Sequence, residues 1–135
     1  MSSYVLDTSA ILTLLNLETG HERVERILDQ ASGEPQLTLV FIPFMAFMET
    51  EYLVLRRHSE EDSQRYLALV LGWPAQVIES NPDWRHQAAV LKASGHLSVA
   101  DAWVASLALT LEATLVHKDP EFDRVGSLQV LRLPS

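Results

Sequence analysis

The sequence contains no cysteine. That excludes disulfides, thiolate nucleophiles and Cys-type zinc sites, and it suits a reducing compartment. Glycine is scarce, five in 135 residues, and no Gly-rich phosphate loop occurs. H-E-x-x-H and G-x-S-x-G are also absent, and Asp7-Thr8-Ser9 lacks the second aspartate of a D-x-D phosphatase motif. Basic side chains are few: ten Lys and Arg stand against eighteen Asp and Glu, for a formal net charge of -8. This balance argues against a broad basic surface that grips nucleic acid through its phosphates. It leaves room for a nuclease whose acidic site is neutralised by metal, because the ion's own charge inverts the local field. The most apolar window, Leu37 to Met48, is too short to span a bilayer, contains Pro43 and is closed by Glu49-Thr50-Glu51. No basic-then-apolar segment of the secretory kind precedes the first apolar run, so the expected location is cytoplasmic, with no membrane partner.

The length fits one domain, residues 1–135, large enough to bury a core without staples. No repeat, low-complexity tract or linker divides it. Its organising stretch is Tyr4 to Leu12. A short run of β-formers reaches Asp7 and passes at once into apolar residues at helical spacing, Ile11, Leu14 and Leu15. The pattern predicts strand, turn and helix, with Asp7 at the carboxyl end of the strand, where ligands bind in open α/β sheets. Asp, Thr and Ser are equally good helix N-caps, and a cap needs no active site.

Further along, His21 to Ala31 carries Val24, Ile27, Leu28 and Ala31 on one face and predicts an amphipathic helix. Leu37 to Ile42 reads as a strand covered on both faces, and Pro43 as the first turn of a helix running from about Phe44 to Arg57. Within that helix Glu49 and Glu51 lie about 200° apart, so only one can point inward. Glu49 is the choice, because it follows the apolar turn Phe44 to Met48; an exposed carboxylate on an amphipathic helix is its plain rival. Ser59, Asn81 and Ser98 are expected to cap later helices, and Ala75 to Ile78, Ala113 to Val116 and Leu128 to Leu131 to form strands.

Four acids then stand out. Asp7 and Asp119 both follow apolar strand-like runs, Asp101 opens a helix rich in small residues, and Glu49 interrupts an apolar one. Each has a structural excuse: Asp101 as the partner of Ser98 in a capping box, Asp119 as the cap of a turn at Pro120. In a parallel sheet, however, the two strand ends share one rim, and helix N-termini point at it. Carboxylates gathered there would repel one another unless a hard divalent cation held them, and oxygen ligands without sulfur suit Mg²⁺ or Mn²⁺. Phosphodiester hydrolysis is the chemistry that follows most naturally.

The order Val5-Leu6-Asp7-Thr8-Ser9-Ala10, then Met48-Glu49-Thr50 with Tyr52 and Leu55-Arg56-Arg57, then Leu97 to Ala102, then Ala113 to Phe122 resembles a PIN-domain protein. The likeness covers nearly the whole chain and is greatest to the VapC-type toxins of toxin–antitoxin pairs. It implies an α/β/α sandwich with a mostly parallel central sheet and a Mg²⁺- or Mn²⁺-dependent endoribonuclease. By motif position Asp7, Glu49, Asp101 and Asp119 would be the catalytic, metal-binding acids, with Ser9 supporting them. His117 stands where the family often has Thr or Ser, and would either orient water or RNA or be a partly exposed structural histidine. The resemblance further implies an RNA substrate, a cognate antitoxin and a homodimer. Arg56, Arg57 and Lys118 are candidates for RNA phosphates or plain surface charges, and Asp123 for the pocket or a solvated turn. Phe44, Phe47, Tyr52 and Trp73 are candidates for apolar contact with the antitoxin or ordinary core. A reading of a different class remains beside these: a non-catalytic PIN-like or receiver-like metal-binding module acting through protein partners.

Overall fold

The computed structural model describes residues 1–135. Strand β1 (Ser2–Leu6) leads through Asp7 into helix α1 (Thr8–Leu15), followed by α2 (His21–Gly33), β2 (Thr38–Pro43), α3 (Phe44–Arg57) and α4 (Glu60–Leu71). Strand β3 (Gln76–Ile78), α5 (Pro82–Ser94), α6 (Val99–Leu111) and β4 (Thr114–His117) come next; a 3-10 turn (Pro120–Arg124) and β5 (Val130–Arg132) end the chain. All four strand pairings are parallel, in the order β3-β2-β1-β4-β5. The chain therefore builds outward from β1 on one side, then returns to add β4 and β5 on the other. That reversal is a topological switch point between β1 and β4, and it opens a crevice beyond their carboxyl ends.

Strand alternation divides the core in two. Val5, Phe41 and Leu115 face one layer with Trp84 of α5 and Ala102, Val104, Ala105 and Leu107 of α6. Leu6, Val40, Ile42 and Val116 face the other, with Ile11 of α1, Val24, Ile27 and Leu28 of α2, and Val70 of α4. Helix α3 serves both, through Met45 and Ala46. Each fully buried Leu, Ile or Val side chain contributes about 1.5–3 kcal/mol relative to exposure. The result is the expected three-layer α/β/α sandwich. No helix is long and apolar enough to cross a membrane.

The predicted caps form where local chemistry asks for them. Ser59, Asn81 and Ser98 accept hydrogen bonds from the backbone N–H groups of Asp62, Trp84 and Asp101. One boundary moves. Pro43, expected in the first turn of α3, ends β2 instead, with φ -70 and ψ 146, and pairs with Ile78. Its fixed φ suits an extended strand end as well as a helix start, and the parallel ladder with β3 decides between them.

Candidate metal centre

Asp7 is both a cap and a rim acid. Its side chain accepts from the Ser9 backbone N–H and caps α1, and its own N–H donates to Val116 across the β1–β4 seam at 3.1 Å. The residue is buried, 6 % exposed. It accepts a 2.8 Å hydrogen bond from the Ser9 hydroxyl, and the same hydroxyl accepts the Lys118 backbone N–H at 3.0 Å. One serine thus ties the exit of β4 to the exit of β1.

Glu49 reaches the same end from α3. Thr8 donates its hydroxyl to Glu49 Oε1 at 3.0 Å, joining residues 41 apart in the chain. Glu51 is exposed, as the helical geometry requires once Glu49 turns inward. Asp101 sits in the first turn of α6, where Ser98 accepts its N–H, and Asp119 caps the 3-10 turn by accepting from Glu121 N at 2.9 Å. Carboxylate oxygens of Asp101, Asp119 and Glu121 all lie within 4.8 Å of one another.

These groups feel each other. The Asp7 carboxyl is raised from 3.8 to about 6, first by burial and then by the charge of Glu49, against the opposing Ser9 hydrogen bond. Asp101 is raised to about 7, by burial and by the charges of Asp7, Asp119 and Glu121. None of the four ion pairs in the fold involves any of these five acids. The donor set is all carboxylate oxygen, the chemistry of Mg²⁺, Mn²⁺ or Ca²⁺ rather than of zinc or copper. Three such oxygens within 4.8 Å of one another are close enough to share a single hard cation.

Two participants escaped the sequence. Glu121, two residues after Asp119 and donating its N–H to it, lies outside the four motif acids. Thr8 read only as a possible cap. The signal for Glu121 was Pro120, which opens a tight turn that brings positions 119 and 121 to one side.

His117 departs from expectation. It is fully buried, not partly exposed, and its ring packs edge-on against Phe122 at 5.1 Å. Neither ring nitrogen makes a well-formed hydrogen bond, and burial lowers its basicity below the usual histidine value, against the opposing influence of Asp123 and of the Asp119 backbone and charge. At the last position of β4 it follows the strand's alternation into the layer containing Leu115, beneath the 3-10 turn that carries Asp119. Lys118, a candidate for phosphate contact, is instead paired with Glu18 at 3.1 Å. Asp123 is half-exposed and pairs with Arg132 at 3.2 Å. Phe44, Phe47 and Trp73 pack against the two cores, whereas Tyr52 is exposed beneath the Arg56 guanidinium.

The PIN domain family model matches residues 4–128. No curated protein sequence matches. Among solved structures, the chain is similar to VapBC2 from Rickettsia felis, bound to a DNA fragment from its promoter: TM-score 0.79 at 19% identity, covering 98% of this chain and 99% of that one. It is similar to VapBC-1 from nontypeable Haemophilus influenzae, with TM-score 0.71, 23% identity and coverage of 96% and 97%. A third is VapC20 of Mycobacterium tuberculosis, described as a Sarcin-Ricin loop cleaving toxin, with TM-score 0.68, 20% identity and coverage of 91% and 95%. At these identities the structural matches speak for the fold.

Proposed function

Because the chain belongs to the PIN-domain family, we propose that its acidic rim is the centre of a divalent-metal-dependent endoribonuclease, the toxin of a toxin–antitoxin pair. The observation that carries this reading is the gathering of Asp7, Glu49, Asp101, Asp119 and Glu121 at the switch-point crevice with no basic side chain paired to them. Such a cluster is costly in the metal-free chain, and a bound cation reverses the cost.

In this reading Asp7, Asp101 and Asp119 hold Mg²⁺ or Mn²⁺, with Glu49 and Glu121 at the edges of the site. When bound, the cation supplies charge neutralisation at a phosphoryl oxygen and acidifies water. The protein's own part is orientation. Ser9 fixes the Asp7 carboxylate, Thr8 fixes Glu49 Oε1, and Ser98 fixes the turn that carries Asp101. Asp101, near half protonation at pH 7 in the metal-free chain, gives up its proton as the site loads.

The substrate is RNA; the protein partners are an antitoxin, in keeping with the VapBC assemblies that share the fold, and a second copy of the chain. Apolar surface for such contacts exists. A groove of about 490 Å³ is lined by Leu14, Leu17, Leu28, Leu69 and Trp73, with Glu25 and Asp29 also in its wall.

The test is Mn²⁺ or Mg²⁺ calorimetry run beside RNA cleavage on the wild type and Asp7→Asn. The proposal expects a cleavage loss of roughly a thousandfold or more, the several kcal/mol a metal contributes. Cleavage undiminished in the variant would overturn the site. Metal binding without cleavage of any RNA would favour a module that acts only through partners.

A further inference from the structure

Resting on the ribonuclease reading, we infer that the seam between α5 and α6 is a binding groove for the RNA strand flanking the scissile phosphate, with Arg85 and Lys92 as its phosphate-binding residues and Trp103 as its base-stacking wall. The groove encloses about 250 Å³; its floor is Ala88 and Ala102, and Val99 and Trp103 close one side. Arg85 and Lys92, seven residues apart and so on nearly the same face of α5, stand at its edge. Both are exposed, and neither joins any of the four ion pairs. In a chain with a net charge of -8, two free cations framing an apolar slot with an aromatic wall match the two faces of a single-stranded nucleotide, anionic backbone and flat base.

The aromatic wall is rigidly backed. Trp103 meets Trp84 edge-on at 4.8 Å and Phe44 edge-on at 5.2 Å. Its carbonyl accepts both the Trp84 indole N–H at 2.9 Å and the Ser106 hydroxyl at 3.0 Å. An indole packed against two aromatic neighbours loses little side-chain freedom when a base stacks on it. The groove also stands at a useful distance from the acids. Asp101 and Trp103 are two residues apart on α6, about 200° around the helix, so the metal centre and the groove occupy opposite sides of the same first turns. A helix with its side chains is about 10–12 Å across, a span of about three stacked nucleotides. A strand cleaved at the acids therefore passes over the N-terminus of α6 into the groove. The acids repel RNA when no metal is bound, and cations this near offset that repulsion.

The experiment uses the full-length chain with Mg²⁺ and a short fluorescein-labelled mixed-sequence RNA. Binding is read by anisotropy on the Asp7→Asn background as a function of salt, and cleavage on the otherwise wild-type background. The double variant Arg85→Gln, Lys92→Gln is compared with Arg23→Gln, Arg26→Gln, which makes the same charge change on exposed residues of α2, across the sheet. The expected result is roughly tenfold weaker RNA binding and a salt slope smaller by about 1.4, the share of two phosphate contacts on a single strand. Metal affinity and melting temperature stay unchanged, and the α2 variant behaves as wild type. Equal losses in both double variants, or none in either, overturn the groove; so does a loss that accompanies dissociation of a dimer, which would make the seam a contact between copies. If wild type cleaves RNA while the α5 variant binds normally, the groove fails and the ribonuclease reading stands. If wild type neither binds nor cleaves RNA, both fall together.

Discussion

The Ser9 hydroxyl donates to Asp7 Oδ2 at 2.8 Å while accepting the backbone N–H of Lys118 at 3.0 Å. A side chain that merely capped α1 would need only the first half of this arrangement. The second half locks the carboxylate at the end of β1 to the chain leaving β4, one residue before Asp119. Ser9→Ala removes the hydroxyl and leaves both partners to solvent or to each other. The expected outcome is a loss of roughly 10–100-fold in metal affinity or cleavage, the usual effect of removing an orienting hydrogen bond at a metal site. Calorimetry and cleavage kinetics check it; a variant with unchanged affinity and rate would reduce Ser9 to a structural tie.

Glu121 is the acid that only the folded chain reveals, its oxygen within 4.8 Å of those of Asp101 and Asp119. Glu121→Gln keeps the shape and removes one charge. Metal binding should weaken by roughly tenfold, about 1.4 kcal/mol of lost attraction at a partly exposed site. Titration calorimetry of the two proteins under the same buffer decides it, with identical affinities counting against a place for Glu121 at the metal site.

The raised carboxyls of Asp7 and Asp101 make the stability of the metal-free chain pH-dependent in a definite direction. Below about pH 3 both groups are protonated whether folded or unfolded, and they cost the fold nothing. As pH rises, the unfolded chain ionises first, and the folded chain must then ionise Asp7 near 6 and Asp101 near 7 against burial and neighbouring charge. These two groups therefore remove stability progressively from about pH 4, where the unfolded carboxyls ionise, up to the folded values of about 6 and about 7, and no further above them. Melting temperatures in chelator should fall between about pH 4 and pH 7. Mg²⁺ or Mn²⁺ should raise them more at the upper end than at the lower. A metal-induced shift larger at acid pH would contradict the assignment.

His117 presents two buried ring nitrogens that make no well-formed hydrogen bond. Removing the polar atoms while keeping the bulk removes their desolvation cost, so His117→Leu should stabilise the fold by about 1 kcal/mol. That corresponds to a rise of about 3–4 °C in melting temperature for a chain of this size. RNA cleavage should be unaffected. A destabilised or inactive variant would show that the imidazole does more than fill space against Phe122.

The sequence by itself determined the parts of this protein that depend on residues within one turn of each other. Caps at Ser59, Asn81 and Ser98, the helical faces of α2 and α3, and the run from β1 through Asp7 into α1 all follow from local hydrogen bonding and apolar spacing. The four acids were legible for the same reason, since each stands at a strand end, near a helix start or within an apolar helix. Only the tertiary structure decided what those acids face. The parallel pairing of β1 with β4 joins residues more than a hundred positions apart, and the tight turn after Asp119 brings Glu121 around to the acids. The same register sends the His117 side chain into the core, and the approach of α1 to β4 gives Lys118 to Glu18 rather than to a phosphate. Local spacing carries no information about these contacts, because they are set by which strands become neighbours and by the burial that pairing enforces.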